Sequence, residues 1–226
     1  MSQTTSQRPD AWRGWALLGL YILAFPYLCL WVQRTMTGDA EPLIAEANVI
    51  CYALFLAVCL VLLWRLLRED FGRLSRWDGG DLGTAILCLA AGVIGRLLVE
   101  RLDILPMADP GPAQYAGEYL MAPAATLTLL LVLIPVVEEL LFRGVLFARL
   151  ARRDRRVAYA AATAVWALGR VWRYALERGD GRWLLLAILY LPMSAALCRC
   201  YDRGKSVWGC AVVHACFNGA TLALAL

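Results

Sequence analysis

Two adjacent glutamates inside an apolar run are the first residues whose types and spacing could do chemistry. In LIPVVEELLFRGVLF, Glu138 and Glu139 stand side by side, and Arg143 follows four residues after the second. On a helix Glu139 and Arg143 share a face, with the carboxylate towards the amino end, the better order for an ion pair. Glu138 is turned about 100° away and is left without that partner. One carboxylate is thereby neutralised while its neighbour is free for other work. Ionisation of a lone carboxylate is disfavoured in a low-dielectric cavity, which brings it towards the range useful to a general base. The plainer alternative is that all three residues cement one helix to another.

The single histidine of the chain lies in WGCAVVHACFNGA, where His214 and Asn218 stand four apart on one helical face. Around them Gly209, Ala211, Ala215 and Gly219 are small enough to let another helix approach closely. The pair offers donors that could hold a developing oxyanion; the alternative is an ordinary interhelical hydrogen bond. A third stretch, AVWALGRVWRY, places Arg170 and Arg173 in an otherwise membrane-like helix. Guanidinium groups there need a counter-charge or a polar cavity, or else snorkel to the outer surface.

The elements that position these residues follow from composition. Of 226 residues, 61% are apolar and 18% charged, with mean hydropathy +0.61. Soluble domains run nearer 45–50% apolar and about 25% charged, and at this length they bury only about three-quarters of their surface. A bilayer must take up the excess hydrocarbon. The same composition excludes a disordered chain, a disulfide-stapled secreted module and a fibrous repeat. The eight cysteines form no CxxC pair and no zinc spacing, so they read as small buried hydrophobes.

A helical span needs about 20 mostly apolar residues. That ruler predicts an all-α, polytopic bundle of about seven spans, near 14–32, 43–64, 82–99, 119–147, 157–176, 183–200 and from 206 to the end. Arg96 and Arg170 interrupt the third and fifth, and Pro123 and Pro135 lie in the long fourth. The first reads as a retained signal anchor rather than a cleaved signal peptide. The stretches 70–81 and 103–118, rich in Asp, Gly and Pro, are the extended connections. One integral membrane domain, 1–226, is the simplest organisation, with 119–226 carrying the chemistry.

Basic residues collect on alternate loops. Arg8 and Arg13, Arg65 to Arg76, the RLARRDRR run after the fourth span, and Arg199, Arg203 and Lys205 oppose only Arg34, Arg101, Arg178 and Arg182. The asymmetry puts the amino terminus in the cytoplasm, in keeping with a bacterial inner membrane, and leaves the RLARRDRR run as a lipid-facing anchor with no nucleic-acid partner. At 1.5 Å per residue, Glu138 lies roughly 16 Å above Arg149, His214 roughly 14 Å and Asn218 roughly 20 Å above Lys205, and Arg170 roughly 21 Å above Arg156. Polar groups from three spans thus share one slab, expected on the cytoplasmic half of the bilayer.

EELLFR resembles the EExxxR motif of the CPBP family of intramembrane proteases, the CAAX-processing and bacteriocin-processing enzymes, and HACFN resembles the family's later HxxxN motif. The resemblance covers about 130–226 and extends to the exosortase-associated CAAX protease-related branch. It implies a helical bundle that hydrolyses a peptide bond of a membrane-associated protein or peptide with a glutamate-activated water. Glu138 would be the base, Glu139 and Arg143 would shape the site, and His214 and Asn218 would stabilise the oxyanion. The family's intermediate FxxxH motif is matched by WALGR, so Arg170 stands where a histidine is expected. Arginine stays protonated and cannot act as a base or ligand; it can pair with Glu138, which weakens that carboxylate as a base, or instead supply positive charge to an oxyanion. The resemblance fixes no cofactor and leaves a divalent metal open, although HExxH is absent and the ligand spacing does not support one. The competing functions are a degenerate relative that binds a peptide or acts as an immunity protein, and a small proton-coupled transporter.

Overall fold

The structure, a computed structural model, describes residues 11–37 and 44–226. Arg8 and the expected start of the second span at 43 lie outside the described residues. Among the described residues every regular element is helical.

The first crossing is two rods, α1 (Ala11–Leu23) and α2 (Phe25–Thr37), bent by 53°. Pro26 has no N–H to give the Ile22 carbonyl, and the chain turns at Ala24, whose carbonyl accepts from Tyr27 (3.1 Å) and Leu28 (3.0 Å). The return crossing, α3 (Ile44–Leu62), leads into α4 (Trp64–Leu74), a short helix that buries Leu67 and Asp70 and exposes Arg65 and Arg68. α5 (Gly79–Arg101) opens on a capping box between Asp78 and Asp81. α6 (Pro110–Met121) begins with Asp109 as its cap and proline at its first position. The expected extended connections at 70–81 and 103–118 are therefore largely helical. Their Asp, Gly and Pro residues cap and start helices there.

The fourth crossing, α7 (Pro123–Leu150), is one long helix with wide π-type turns over Leu129–Leu133 and Leu140–Phe147. Every residue from Leu140 to Phe147 is buried, so α7 is the axis of the bundle. α8 (Arg155–Arg178) is capped by Asp154 and ends at Gly179 in the left-handed conformation. A 3₁₀ turn (Gly181–Leu186) feeds α9 (Ala187–Gly204), and α10 (Val207–Ala225) closes the chain. α3, α5, α7, α9 and α10 are long and apolar enough to cross a bilayer, and the α1–α2 pair counts as a sixth. α8 has the length, 24 residues, but its arginines keep it below that standard of apolarity. It packs between α7 and α9 as the seventh rod, which makes seven an approximate count.

Two ends of the bundle differ. At the arginine-rich end, the loop between α9 and α10 is pinned from several sides. Asp70 accepts from Val207 N–H (2.7 Å) and Ser206 Oγ (3.1 Å), and the Trp77 indole N–H donates to the Gly204 carbonyl (3.0 Å). Asp202 is held by Arg155, by Tyr159 Oη (3.0 Å) and by Lys205 Nζ (2.7 Å). Gly209 is needed here, because a Cβ would fall 2.0 Å from the Trp77 ring. At the other end Arg96, which interrupts α5, pairs with Glu100 (2.9 Å) and Asp109 (3.0 Å), and Tyr190 Oη donates to the same Asp109 oxygen (2.6 Å).

Burial pushes the Asp70 carboxyl above its usual range, and the bonds from Val207 and Ser206 oppose that shift. Asp70→Ala strands these two buried donors, a penalty of about 1–3 kcal/mol. A lower thermal unfolding midpoint in detergent, with helicity retained before the transition, is the expected measurement.

Candidate functional site

Glu138 and Glu139 sit in the α-helical stretch Ile134–Glu139 between the two wide turns of α7. The predicted ion pair is present: Arg143 Nη1 donates to Glu139 Oε1 at 3.1 Å, with both side chains fully buried. Arg143 Nη2 reaches α9 and donates to the Ser194 carbonyl (3.1 Å) and hydroxyl (3.0 Å). Glu139 has a second partner that its spacing did not reveal, the His214 ring, with Nδ1 2.8 Å from the same Oε1.

The expectation that Glu138 is a partnerless carboxylate is corrected. Its Oε1 accepts from Tyr21 Oη (2.7 Å) and its Oε2 from the Trp166 indole N–H (2.7 Å). Arg170 Nη1 stands 3.5 Å from Oε1, and His214 Nε2 stands 4.0 Å from Oε2. The partners come from α1, α8 and α10, elements that helical geometry within α7 cannot reach. Tyr21 is the residue the sequence reading missed. Its signal was a hydroxyl in an apolar span, which must find an acceptor when buried. Tyr52 of α3 lies 3.1 Å from the Tyr21 hydroxyl, so the two form a short relay towards Glu138.

Arg170 joins the two carboxylate centres. Its Nη2 lies 3.3 Å from His214 Nε2, and its guanidinium stacks over the Trp166 ring at 5.0 Å. A guanidinium can only donate, so Nε2 accepts, and the ring proton is on Nδ1, shared with Glu139. His214 is thus a neutral imidazole held between a carboxylate and a guanidinium. Of the two readings for the arginines of α8, each describes one residue. Arg170 turns inward to a counter-charge, while Arg173 pairs with Glu177 (2.8 Å) near the surface.

Asn218 is drawn elsewhere. Its Nδ2 donates to the Leu130 carbonyl at 2.9 Å. In the wide turn Ile134 N–H bonds back to Leu129, five residues earlier. By the same register the donor for Leu130 would be Pro135, which has no N–H. Asn218 fills that vacancy, a requirement of any buried carbonyl. The expected pairing of His214 with Asn218 at one oxyanion is therefore absent, since one side chain faces Glu139 and the other faces the backbone of α7.

A chamber of about 420 Å³ borders this cluster, within the usual size of a ligand pocket, roughly 300–1000 Å³. Glu138, Trp166 and Arg170 line its deep end, whereas Glu139, Arg143 and His214 are behind the wall. Tyr21, Phe25, Tyr52, Tyr115 and Tyr174 make its sides aromatic. Among the described residues no group of three or more His, Cys, Asp or Glu side chains is arranged to hold a metal ion. Both ring nitrogens of His214 are engaged and a guanidinium faces Glu138, so these residues do not fit a metal site.

Residues 121–220, from the last turn of α6 into α10, match the family model described as type II CAAX prenyl endopeptidase Rce1-like, consistent with the CPBP family. No curated protein and no solved structure matches the chain.

Glu139 is the hinge of the buried cluster, because both Arg143 and His214 lean on it. Glu139→Ala leaves a guanidinium unpaired in the core, which costs about 3–5 kcal/mol. That is a large share of a typical stability of about 5–15 kcal/mol. Expression as aggregated or protease-sensitive protein is expected, read by size-exclusion chromatography in detergent, with at most partial recovery in Glu139→Gln, which restores an acceptor for Arg143 and His214 but no counter-charge.

Proposed function

We propose that this chain, an integral membrane protein with an Rce1-like segment, is an endopeptidase that cleaves a membrane-associated protein or peptide within the bilayer. The observation that carries the reading is the shared wall of the chamber, where the Glu138 carboxylate and, 3.5 Å from it, the Arg170 guanidinium face the same space, while the second arginine of the lining, Arg173, is paired with Glu177. Glu138 is the base: it takes a proton from a water in the chamber as the oxygen attacks the peptide carbonyl carbon. Arg170 receives the developing oxyanion in place of the expected His214 and Asn218. Its Nη1, 3.5 Å from Glu138 Oε1, is the donor that shares the chamber floor with the base. Collapse of the tetrahedral intermediate breaks the C–N bond, and Glu138 returns its proton to the leaving amine.

The other residues position these two. Tyr21 and Trp166 fix the Glu138 carboxylate by one hydrogen bond to each oxygen. Glu139 orients His214, and His214 holds Arg170 by accepting from Nη2. This is the logic of a carboxylate–imidazole pair, with the imidazole presenting a lone pair to a guanidinium rather than to a nucleophile.

A second reading, a non-catalytic relative that binds a peptide carboxylate or carbonyl, draws support from one observation. Both oxygens of Glu138 already accept hydrogen bonds, which leaves less capacity to hold a water.

Comparing new amino termini in membrane fractions of cells carrying the wild-type chain or Glu138→Gln tests the proposal by mass spectrometry. A set of termini that disappears with Glu138→Gln is expected, and an unchanged set rejects proteolysis. On a substrate so identified, Arg170→Lys lowers the cleavage rate by about 10²–10³-fold, the usual effect of losing one oxyanion donor. Cleavage that appears only in Arg170→His would favour the binding reading instead.

A further inference from the structure

The chamber is one-sided. From Glu138 its lining runs along α1 and α2 through Phe25 and Cys29 to Gln33, and along α8 through Arg170 to Tyr174. It also takes in Asn48 at the start of α3 and Gln114 of α6. All of these lie towards the end of the bundle where the chain carries few basic residues. On the other side of Glu138, α7 is buried from Leu140 to Phe147, with Phe142 alone of these touching the chamber, and beyond it Asp70, Trp77 and Asp202 pin the α9–α10 loop. Two other spaces, the first of them larger at about 670 Å³, tell the same story. One, next to Arg96 and Asp109, and another, of about 50 Å³ beside Asn218 and Leu222, both belong to the arginine-poor end.

Orientation follows from the basic loops. The described ends Arg65–Arg76, Arg149–Arg156 and Arg199–Lys205 lie on the closed side, and only Arg34, Arg101, Arg178 and Arg182 on the open one. Basic loops are retained in the cytoplasm. The shared level of the polar groups is therefore no sign of cytoplasmic access, because the lining of the described chamber extends from Glu138 the other way.

We propose that the Glu138 chamber is filled from the extracytoplasmic face, so that its substrate is an extracytoplasmic peptide segment next to a membrane anchor and not a cytosolic prenylated tail. The substrate part of this inference rests on the endopeptidase reading, whereas the direction of access does not. The rim suits a peptide. Gln33 Nε2 donates to Asn48 Oδ1 (3.0 Å) across α2 and α3, and carboxamides both donate to and accept from a peptide backbone. Deeper in, aromatic rings replace them, and Arg170 and Glu138 stand at the floor.

A cysteine at Gly169 reports access to that floor. Gly169 lines the chamber beside Arg170, and a Cβ there meets only the Phe142 ring, at 4.0 Å. In a background with Cys29→Ala and Cys216→Ala, Gly169→Cys is exposed to a membrane-impermeant methanethiosulfonate reagent in spheroplasts and in inverted membrane vesicles. Arg152→Cys marks the closed side and Gln114→Cys the rim. Labelling of Gly169→Cys and Gln114→Cys about tenfold faster in spheroplasts, with Arg152→Cys faster in inverted vesicles, is expected, since exchange at a thiol follows its accessibility. Faster labelling of Gly169→Cys in inverted vesicles, or equal or no labelling from both sides, overturns the proposal. So does labelling of Arg152→Cys in spheroplasts. New amino termini that depend on Glu138 but map to cytosolic segments would overturn the substrate assignment while leaving the endopeptidase reading intact.

Discussion

Charge balance in a medium that cannot screen it is the constraint on which this bundle rests. Glu138 and Glu139 bring two negative charges into the core, and Arg143 and Arg170 bring two positive ones. With His214 neutral, the cluster sums to zero. A single uncompensated ion in such surroundings is expensive, and a pair is tolerated only when its remaining hydrogen-bonding capacity is met. Ser194 of α9, Tyr21 of α1 and Trp166 of α8 meet much of it here, and Glu139 Oε2, Arg143 Nε and Arg170 Nε are left without a partner among the described residues. Arg170, where the resemblance of WALGR to an FxxxH motif leads one to expect a histidine, therefore changes more than one side chain. It converts a cluster with one excess negative charge into a neutral one. That favours a resident salt bridge over a bound cation.

Backbone hydrogen bonding shapes the same region. The wide turns of α7 and Pro135 leave a carbonyl at Leu130 that no backbone N–H can reach, and the side chain of Asn218 supplies the donor. Wide turns of this kind recur at functional sites because they displace side chains from regular helical spacing. In α7 they flank the two glutamates, one turn before and one after, and so set the pair against α1, α8 and α10 together. α10 serves both ends of this arrangement, with His214 at the glutamates and Asn218 one turn along at the loosened backbone.

Much of this was legible in the sequence, and the rest was hidden for identifiable reasons. Hydropathy located the crossings because each is a local property, and the Glu139–Arg143 pair was readable because both residues lie on one helix. The level at which the polar groups meet also followed from counting residues. What local spacing could not supply was tertiary choice. Glu138 looked free because its partners are 28 to 117 residues away. Asn218 looked catalytic because the lost carbonyl that claims it is created by a proline 83 positions earlier, visible as Pro135 but not as a partner. The stretch 103–118 looked like a loop because α6 carries Pro110 and Pro112 in its first turn, where proline is compatible with a helix.

The bend at Ala24 has a consequence for how the chain enters the bilayer. Each rod of the first crossing has 13 residues, about 20 Å of helix against roughly 30 Å of hydrocarbon. Neither rod can be threaded through as an independent stop, so partition into lipid has to commit both together and with them the tyrosine that Glu138 awaits. Insertion of this bent crossing is thereby tied to assembly, because the residue that reaches Glu138, Tyr21, lies three positions before the bend.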